Sequence, residues 1–192
     1  MIRAVIFDCF GVLISDALSV MCDDLEQKDP EAIKEVWELI RQANRNELTA
    51  DESSTRIAGI FGLSYEDYRA QLQQNENKNH ALLRYIAALR PRYKTAILSN
   101  IPKGSLYRRF TQDELAGYFD EIVASGEIGY AKPEPEAYRI AAERLGLSAE
   151  ECIFVDDRLM YCEGAEATGM KAVEYRSFAQ FKTDFEKLLA DS

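Results

Sequence analysis

Four short stretches carry the residues able to do chemistry. The first is Val5-Ile6-Phe7-Asp8, an apolar run that ends in a carboxylate shortly before Gly11. Burying a carboxylate at the end of a hydrophobic strand is costly unless it is paired, hydrogen-bonded or metal-bound. Alone, Asp8 would read as well as a capping aspartate in a tight turn. It is not alone, because Ile153-Phe154-Val155-Asp156-Asp157 repeats the pattern. Adjacent acids raise each other's pKa unless a cation neutralises them. Three carboxylates gathered at one place make a hard, oxygen-lined site suited to Mg²⁺, with room left for phosphate oxygens. The third stretch is Gly129-Tyr130-Ala131-Lys132-Pro133-Glu134-Pro135. Its prolines restrict the backbone and Pro135 can begin a helix, so Lys132 is presented from a rigid loop. A lone lysine belongs in solvent, but beside three carboxylates it can offset their charge and hold an anionic substrate. The fourth stretch, Ser99-Asn100, adds a hydroxyl and an amide suited to phosphate or carboxylate oxygens.

The elements that must position these residues follow from hydrophobic patterning. Apolar, β-branched runs at 4–7, 95–98, 122–124 and 152–155, with a weaker one at 172–174, read as strands. Amphipathic segments such as 135–146 and 178–189 separate or follow them. Strands alternating with helices predict a parallel sheet covered on both faces. Asp8, Ser99-Asn100 and Asp156-Asp157 then fall just past the carboxyl ends of their strands, the edge where open α/β sheets bind ligands. Between the first strand and Thr95 the chain is too long for one crossover and carries only helical signals. Pro30 stands near one helix start, Thr49-Ala50-Asp51-Glu52 reads as a capping box, Ser64 opens a third helix and His80–Arg90 forms a fourth. We read residues 16–82 as a helical insertion over the sheet edge, with 1–15 and 83–192 forming the core. Polar residues 71–79 are the expected hinge or loop.

Composition narrows the partners. With 33 acidic and 23 basic residues the net charge is −10, which disfavours nucleic acid and anionic membranes. It does not forbid an anionic substrate, since one pocket can be positive on a negative protein. Cys9, Cys22, Cys152 and Cys162 have no CxxC spacing and read as buried small hydrophobes in a reducing compartment. The single histidine, His80, lies in a polar stretch and is expected at the surface, which makes a His-rich metal site untenable. The opening apolar run is short and ends in an acid, so it is neither a signal peptide nor a membrane span. A cytoplasmic location is expected.

Taken in order, the strand-ending FDxxGVL, the LSN, the GxxKPEPxxY and the FVDD followed by EGAxxxGM resemble the haloacid dehalogenase superfamily. The resemblance covers essentially the whole chain. It is closest in pattern to the epoxide-hydrolase-like and sugar-phosphate phosphatase branch. It implies a Rossmann-like three-layer α/β sandwich with a small helical cap inserted after the first strand. It further implies covalent catalysis by Asp8, with Ser99, Asn100 and Lys132 binding the transferring group. Asp157, with Asp156 behind it, is implied to hold Mg²⁺ together with Asp8 and the backbone carbonyl of Phe10. The expected partner is a small-molecule phosphate ester, bound by a monomer or homodimer.

One position departs from that pattern. The superfamily's phosphatases usually carry a second aspartate two residues after the nucleophile, and here Phe10 stands there. General acid–base help is worth about 10²–10⁴-fold, so leaving groups that need little protonation, such as an anomeric oxygen or an aryl alcohol, are expected. Asp16 and Glu47 are candidate substitutes, while Phe10 and Trp37 are expected to wall an apolar pocket. The 2-haloacid dehalogenases also have an aromatic residue at this position, and in that alternative Arg41 or Arg45 would hold the substrate carboxylate. They typically lack an acidic pair, so Asp156-Asp157 favours metal-dependent phosphoryl transfer. A binding protein that keeps the fold without catalysis is the third alternative. Arg158 and Tyr161 also depart from the common pattern; Arg158 either reaches the site or lies on the surface, and Tyr161 either crowds the metal loop or reflects loop drift.

Overall fold

A computed structural model describes residues 1–190. Five parallel strands, β1 (Ala4–Phe7), β2 (Lys94–Ser99), β3 (Glu121–Ala124), β4 (Cys152–Asp156) and β5 (Lys171–Glu174), form one sheet in the order β3-β2-β1-β4-β5. The central strand Ala-Val-Ile-Phe is fully buried, as expected of a parallel strand covered on both faces. Its side chains alternate. Val5 and Phe7 pack with Leu82, Leu83, Ile86, Phe181 and Phe185, whereas Ala4 and Ile6 pack with Ala137, Tyr138, Ala141 and Phe154. The result is a Rossmann-like three-layer sandwich. Strand order reverses beside β1, and Phe7 lies opposite both Ile97 and Val155 in the ladders. The residues that follow β1 and β4 are therefore neighbours at the switch point.

Four helices separate β1 from the sheet-covering helix α5 (His80–Leu89): α1 (Ala17–Lys28), α2 (Pro30–Asn44), α3 (Ala50–Ile60) and α4 (Tyr65–Asn75). They bury a core of their own, which includes Cys22, Ile33, Val36, Ile57, Tyr68 and Leu72. Their starts follow local chemistry. Asp29 caps α2 ahead of Pro30, Thr49 and Glu52 form a reciprocal capping box, and Ser64 accepts the Asp67 N–H. Two expectations need correction. Helix α4 runs to Asn75, because Leu72 anchors it in the cap core, so the loop expected over 71–79 is confined to 76–79. Helix α5 belongs with the sheet, since Leu82, Leu83 and Ile86 pack against it, and position 82 falls inside that helix. Helix α1, which carries a weak apolar pattern, was not among the expected elements.

The remaining helices are α6 (Gln112–Tyr118), the single-turn α7 (Ser125–Ile128), α8 (Pro135–Arg144), α9 (Leu159–Glu166) and α10 (Phe178–Ala190). All four cysteines are buried and free, and His80 is exposed. Among the described residues no helix is long and apolar enough to cross a membrane.

Candidate active site

The first three signals of the sequence meet at the carboxyl end of the sheet. Asp8 continues β1, its N–H donating to the Val155 carbonyl at 2.8 Å, and its side chain is buried. Lys132 enters from the loop before α8. Its ammonium donates to Asp8 Oδ1 and to Asp156 Oδ2, both at 2.6 Å, and it is 3% exposed. The rings of Phe154 and Tyr161 lie 5.2 and 4.9 Å from Lys132 Nζ. Tyr161 therefore closes the cage around the lysine; Tyr138 holds it there, donating to its carbonyl at 2.8 Å. Asp156 Oδ1 accepts the Arg158 N–H at 2.9 Å.

Oxygens of Asp8, Asp156 and Asp157 lie within 4.8 Å of one another. Three carboxylates and one ammonium leave two negative charges in a buried space. The protonation equilibria show the imbalance. Burial pushes the Asp156 carboxyl up, with Asp8 adding to it against Lys132. Burial also pushes Asp157 up, and Asp8 adds to that. Burial alone would lower Lys132, yet the charges of Asp8 and Asp156 outweigh it and raise the ammonium above the ordinary lysine range. Asp157 Oδ1 is buried without a hydrogen-bond partner. A divalent cation supplies what is missing, two positive charges and a partner for that oxygen, so the residues present fit Mg²⁺.

Asn100 and Ser99 follow β2. The Asn100 amide is engaged on both sides with the Lys132 backbone, which makes it a brace for the lysine. Ser99 is buried and lines the adjoining cavity. Gly11, at φ +87°, turns the chain against Asp157, and a Cβ there would stand 2.3 Å from Asp157 Oδ2. Glycine is required for both the dihedral and the space.

A cavity of about 430 Å³ opens from this cluster between sheet and cap, within the range of small-molecule sites. Phe10 and Trp37 line it, as expected, and so does Asp16. Glu47 does not; it is exposed and pairs with Arg41 at 3.3 Å. Arg158 lines the cavity, with Nη2 3.5 Å from Asp16 Oδ2, while Arg45 pairs with Glu134 at 2.8 Å and so ties cap to core. Sequence reasoning missed Arg109, whose guanidinium stacks 4.8 Å from the Phe10 ring centroid and pairs with the nearly buried Glu76. No motif or periodicity marks Arg109, because only the tertiary fold brings its loop over Phe10.

Comparison with known proteins agrees with the fold. The family model described as haloacid dehalogenase-like hydrolase matches residues 2–169. The sesquiterpene phosphatase astK of Aspergillus oryzae is 28% identical over 174 residues, covering 88% of this chain and 87% of that protein. The (S)-2-haloacid dehalogenase of Xanthobacter autotrophicus is 29% identical over 202 residues, covering 94% and 77%. Two other curated relatives are aligned over short stretches, 24% and 33% of their own length. Among solved structures, a Bacteroides thetaiotaomicron enzyme of the same family, in complex with magnesium and inorganic phosphate, superposes with a TM-score of 0.77. It is 21% identical, with 96% of this chain and 100% of that one covered, a likeness of fold. The chain belongs to the haloacid dehalogenase-like hydrolases.

Proposed function

We propose that this hydrolase is a Mg²⁺-dependent phosphomonoesterase that acts in the cytoplasm on a small organic phosphate through an aspartyl-phosphate on Asp8. The observation that carries this is the buried cluster, whose three carboxylates exceed its one ammonium by two charges and leave Asp157 Oδ1 unpartnered. Asp8, Asp156, Asp157 and the Phe10 carbonyl would hold Mg²⁺, which when bound supplies positive charge opposite the phosphoryl oxygens.

The Asp8 carboxylate attacks phosphorus, and the ester oxygen departs with the electron pair of the broken P–O bond. Lys132, the Ser99 hydroxyl and nearby backbone amides face the equatorial oxygens, where preorganised donors act most strongly. Asn100 holds Lys132 in place. Water then attacks the phosphorus of the aspartyl-phosphate, releasing inorganic phosphate and restoring Asp8. Phe10 neither gives nor takes a proton, so an aryl or anomeric leaving group suits the first step. Asp16, on the cavity wall, is the carboxylate available to take the proton of water in the second.

One observation favours a second chemistry, 2-haloacid dehalogenation. The aromatic ring at Phe10 offers no proton, and halide needs none; the Xanthobacter relative carries that name. Asp8 would then attack carbon, with Arg41 or Arg45 holding the carboxylate. A panel of phosphomonoesters and 2-haloacids, assayed with Mg²⁺ and with EDTA, separates the two. Phosphate release that EDTA abolishes supports our proposal, whereas halide release that survives EDTA favours the alternative. If nothing turns over above an Asp8→Asn control, the protein is not a hydrolase of either kind.

A further inference from the structure

Arginines gather on the cavity wall of an otherwise acidic protein. Six arginines and Lys132 line the cavity, against Asp8, Asp16, Glu76 and Glu134. Most of those arginines are already answered. Arg41 pairs with Glu38 and Glu47, Arg45 with Glu134, Arg108 with Asp51, Arg109 with Glu76 and Arg158 with Asp16. Arg69, on α4 of the cap, is the exception. It is half-buried on the cavity wall and has no ion pair or hydrogen bond among the described residues. Asp51, the carboxylate that feels its charge, already accepts from Tyr65 and Arg108. Its guanidinium is free to meet an anion in the cavity, and its planar fork matches an oxyanion two points at a time. Trp37, Ile40, Ile57 and Leu72 share the cap wall with it and offer an apolar surface for a carbon skeleton.

We propose that Arg69 binds a second anionic group, carboxylate or phosphate, on the substrate, so that the ester taken is an organic phosphomonoester with an anionic tail. This rests on the phosphomonoesterase function proposed above. Arg69 acts in specificity, at the cap end of the cavity, while the phosphoryl group meets Lys132 and Asp8 at the sheet end.

The test compares phenyl phosphate with its para-carboxymethyl and para-phosphonomethyl derivatives, in the presence of Mg²⁺, for wild type, Arg69→Gln and Arg69→Lys. The readout is the ratio of kcat/KM for each anionic-tail ester to that for phenyl phosphate. A charge-assisted pair at this depth predicts that Arg69→Gln collapses the ratio about 10- to 100-fold, mainly through KM, and that Arg69→Lys recovers part of it. Loss confined to one tail identifies that group as the ligand. A wild-type enzyme that does not prefer either anionic tail, or a ratio that Arg69→Gln leaves intact, overturns the proposal. If none of the esters turns over, the phosphomonoesterase function falls. Calorimetric titration of wild type and Arg69→Lys with benzylphosphonate and its para-carboxymethyl derivative then decides Arg69 separately, equal affinities for the two ligands counting against it. The same titration serves if Arg69→Gln does not fold.

Discussion

Asn100 grips Lys132 by both edges of its backbone: the Asn100 Oδ1 accepts the Lys132 N–H at 2.8 Å and the Asn100 Nδ2 donates to the Lys132 carbonyl at 2.8 Å. The brace links the end of β2 to the loop before α8, and it aims the ammonium at Asp8 and Asp156 from across the sheet edge. Asn100→Ala should therefore cost more activity than stability. A loss of about 10²-fold in kcat/KM follows from a displacement of the lysine on the order of 1 Å, with a stability loss of about 1–3 kcal/mol from the stranded backbone groups. Steady-state kinetics beside denaturant melts check it, and a loss of stability with kcat/KM unchanged would refute the bracing role.

Gly11 faces the outer carboxylate of the cluster. Because a Cβ at that position would stand 2.3 Å from Asp157 Oδ2, and because φ is +87°, Gly11→Ala must move Asp157, the backbone, or both. Displacing a metal-binding carboxylate typically lowers metal affinity about 10- to 100-fold. The Mg²⁺ concentration for half-maximal activity should rise by that factor in Gly11→Ala, and an unchanged Mg²⁺ requirement would place the metal elsewhere.

Phe10 occupies the place where a proton donor would serve the leaving group, with the Arg109 guanidinium 4.8 Å from its ring centroid. Phe10→Asp would restore a titratable group to the cavity. It should narrow the gap in kcat between alkyl and aryl phosphates by at least about 10-fold, a modest part of what general acid catalysis can supply. Matched alkyl and aryl esters assayed on both proteins give the answer, and a gap that stays as wide would show that proton transfer does not limit the reaction.

Much of this arrangement was legible in the chain. The buried run before Asp8 and its echo before Asp156-Asp157 follow from period and burial, and a parallel sheet puts such strand ends on one edge. Lys132 was recoverable because two prolines stiffen its loop. Asn100 was placed at the right strand end, but its grip on the Lys132 backbone was not legible, since an amide has the same donors and acceptors whether it meets a substrate or a backbone. Arg69 and Arg109 carried no signal at all. Each is one arginine among many, and its meaning depends on which neighbours have carboxylates to spare, a property of packing that spacing does not encode. The boundary at 82 fell inside α5 because the apolar face of that helix looks the same whether it covers the sheet or the cap.

Asp120 offers a pH test of the fold away from the site. Burial opposes ionisation there. The Thr95 N–H at 2.8 Å and Arg90 Nη2 at 2.6 Å outweigh it and hold the carboxyl below its usual range. A carboxyl whose folded pKa lies below its unfolded value stabilises the fold above the unfolded pKa, and that contribution is lost as pH falls through the folded pKa. Asp120→Asn should reduce stability at pH 7 by about 1 kcal/mol. The difference from wild type should shrink below about pH 4, where the unfolded carboxyl takes up its proton. Urea melts from pH 7 downward would show this, and a gap independent of pH would contradict it.

The most direct test of the central claim is to catch the covalent intermediate. With no acid–base group at Phe10, hydrolysis of the aspartyl-phosphate should be slow enough for it to accumulate. The protein is mixed with an aryl phosphate and Mg²⁺, quenched in acid within the first turnover and digested, and the peptide that holds Asp8 is weighed. We predict one added phosphoryl group on Asp8, absent when EDTA replaces Mg²⁺ and absent in Asp8→Asn. Phosphate release with no modified Asp8 at any quench time, or with the phosphoryl group on another residue, would contradict the account.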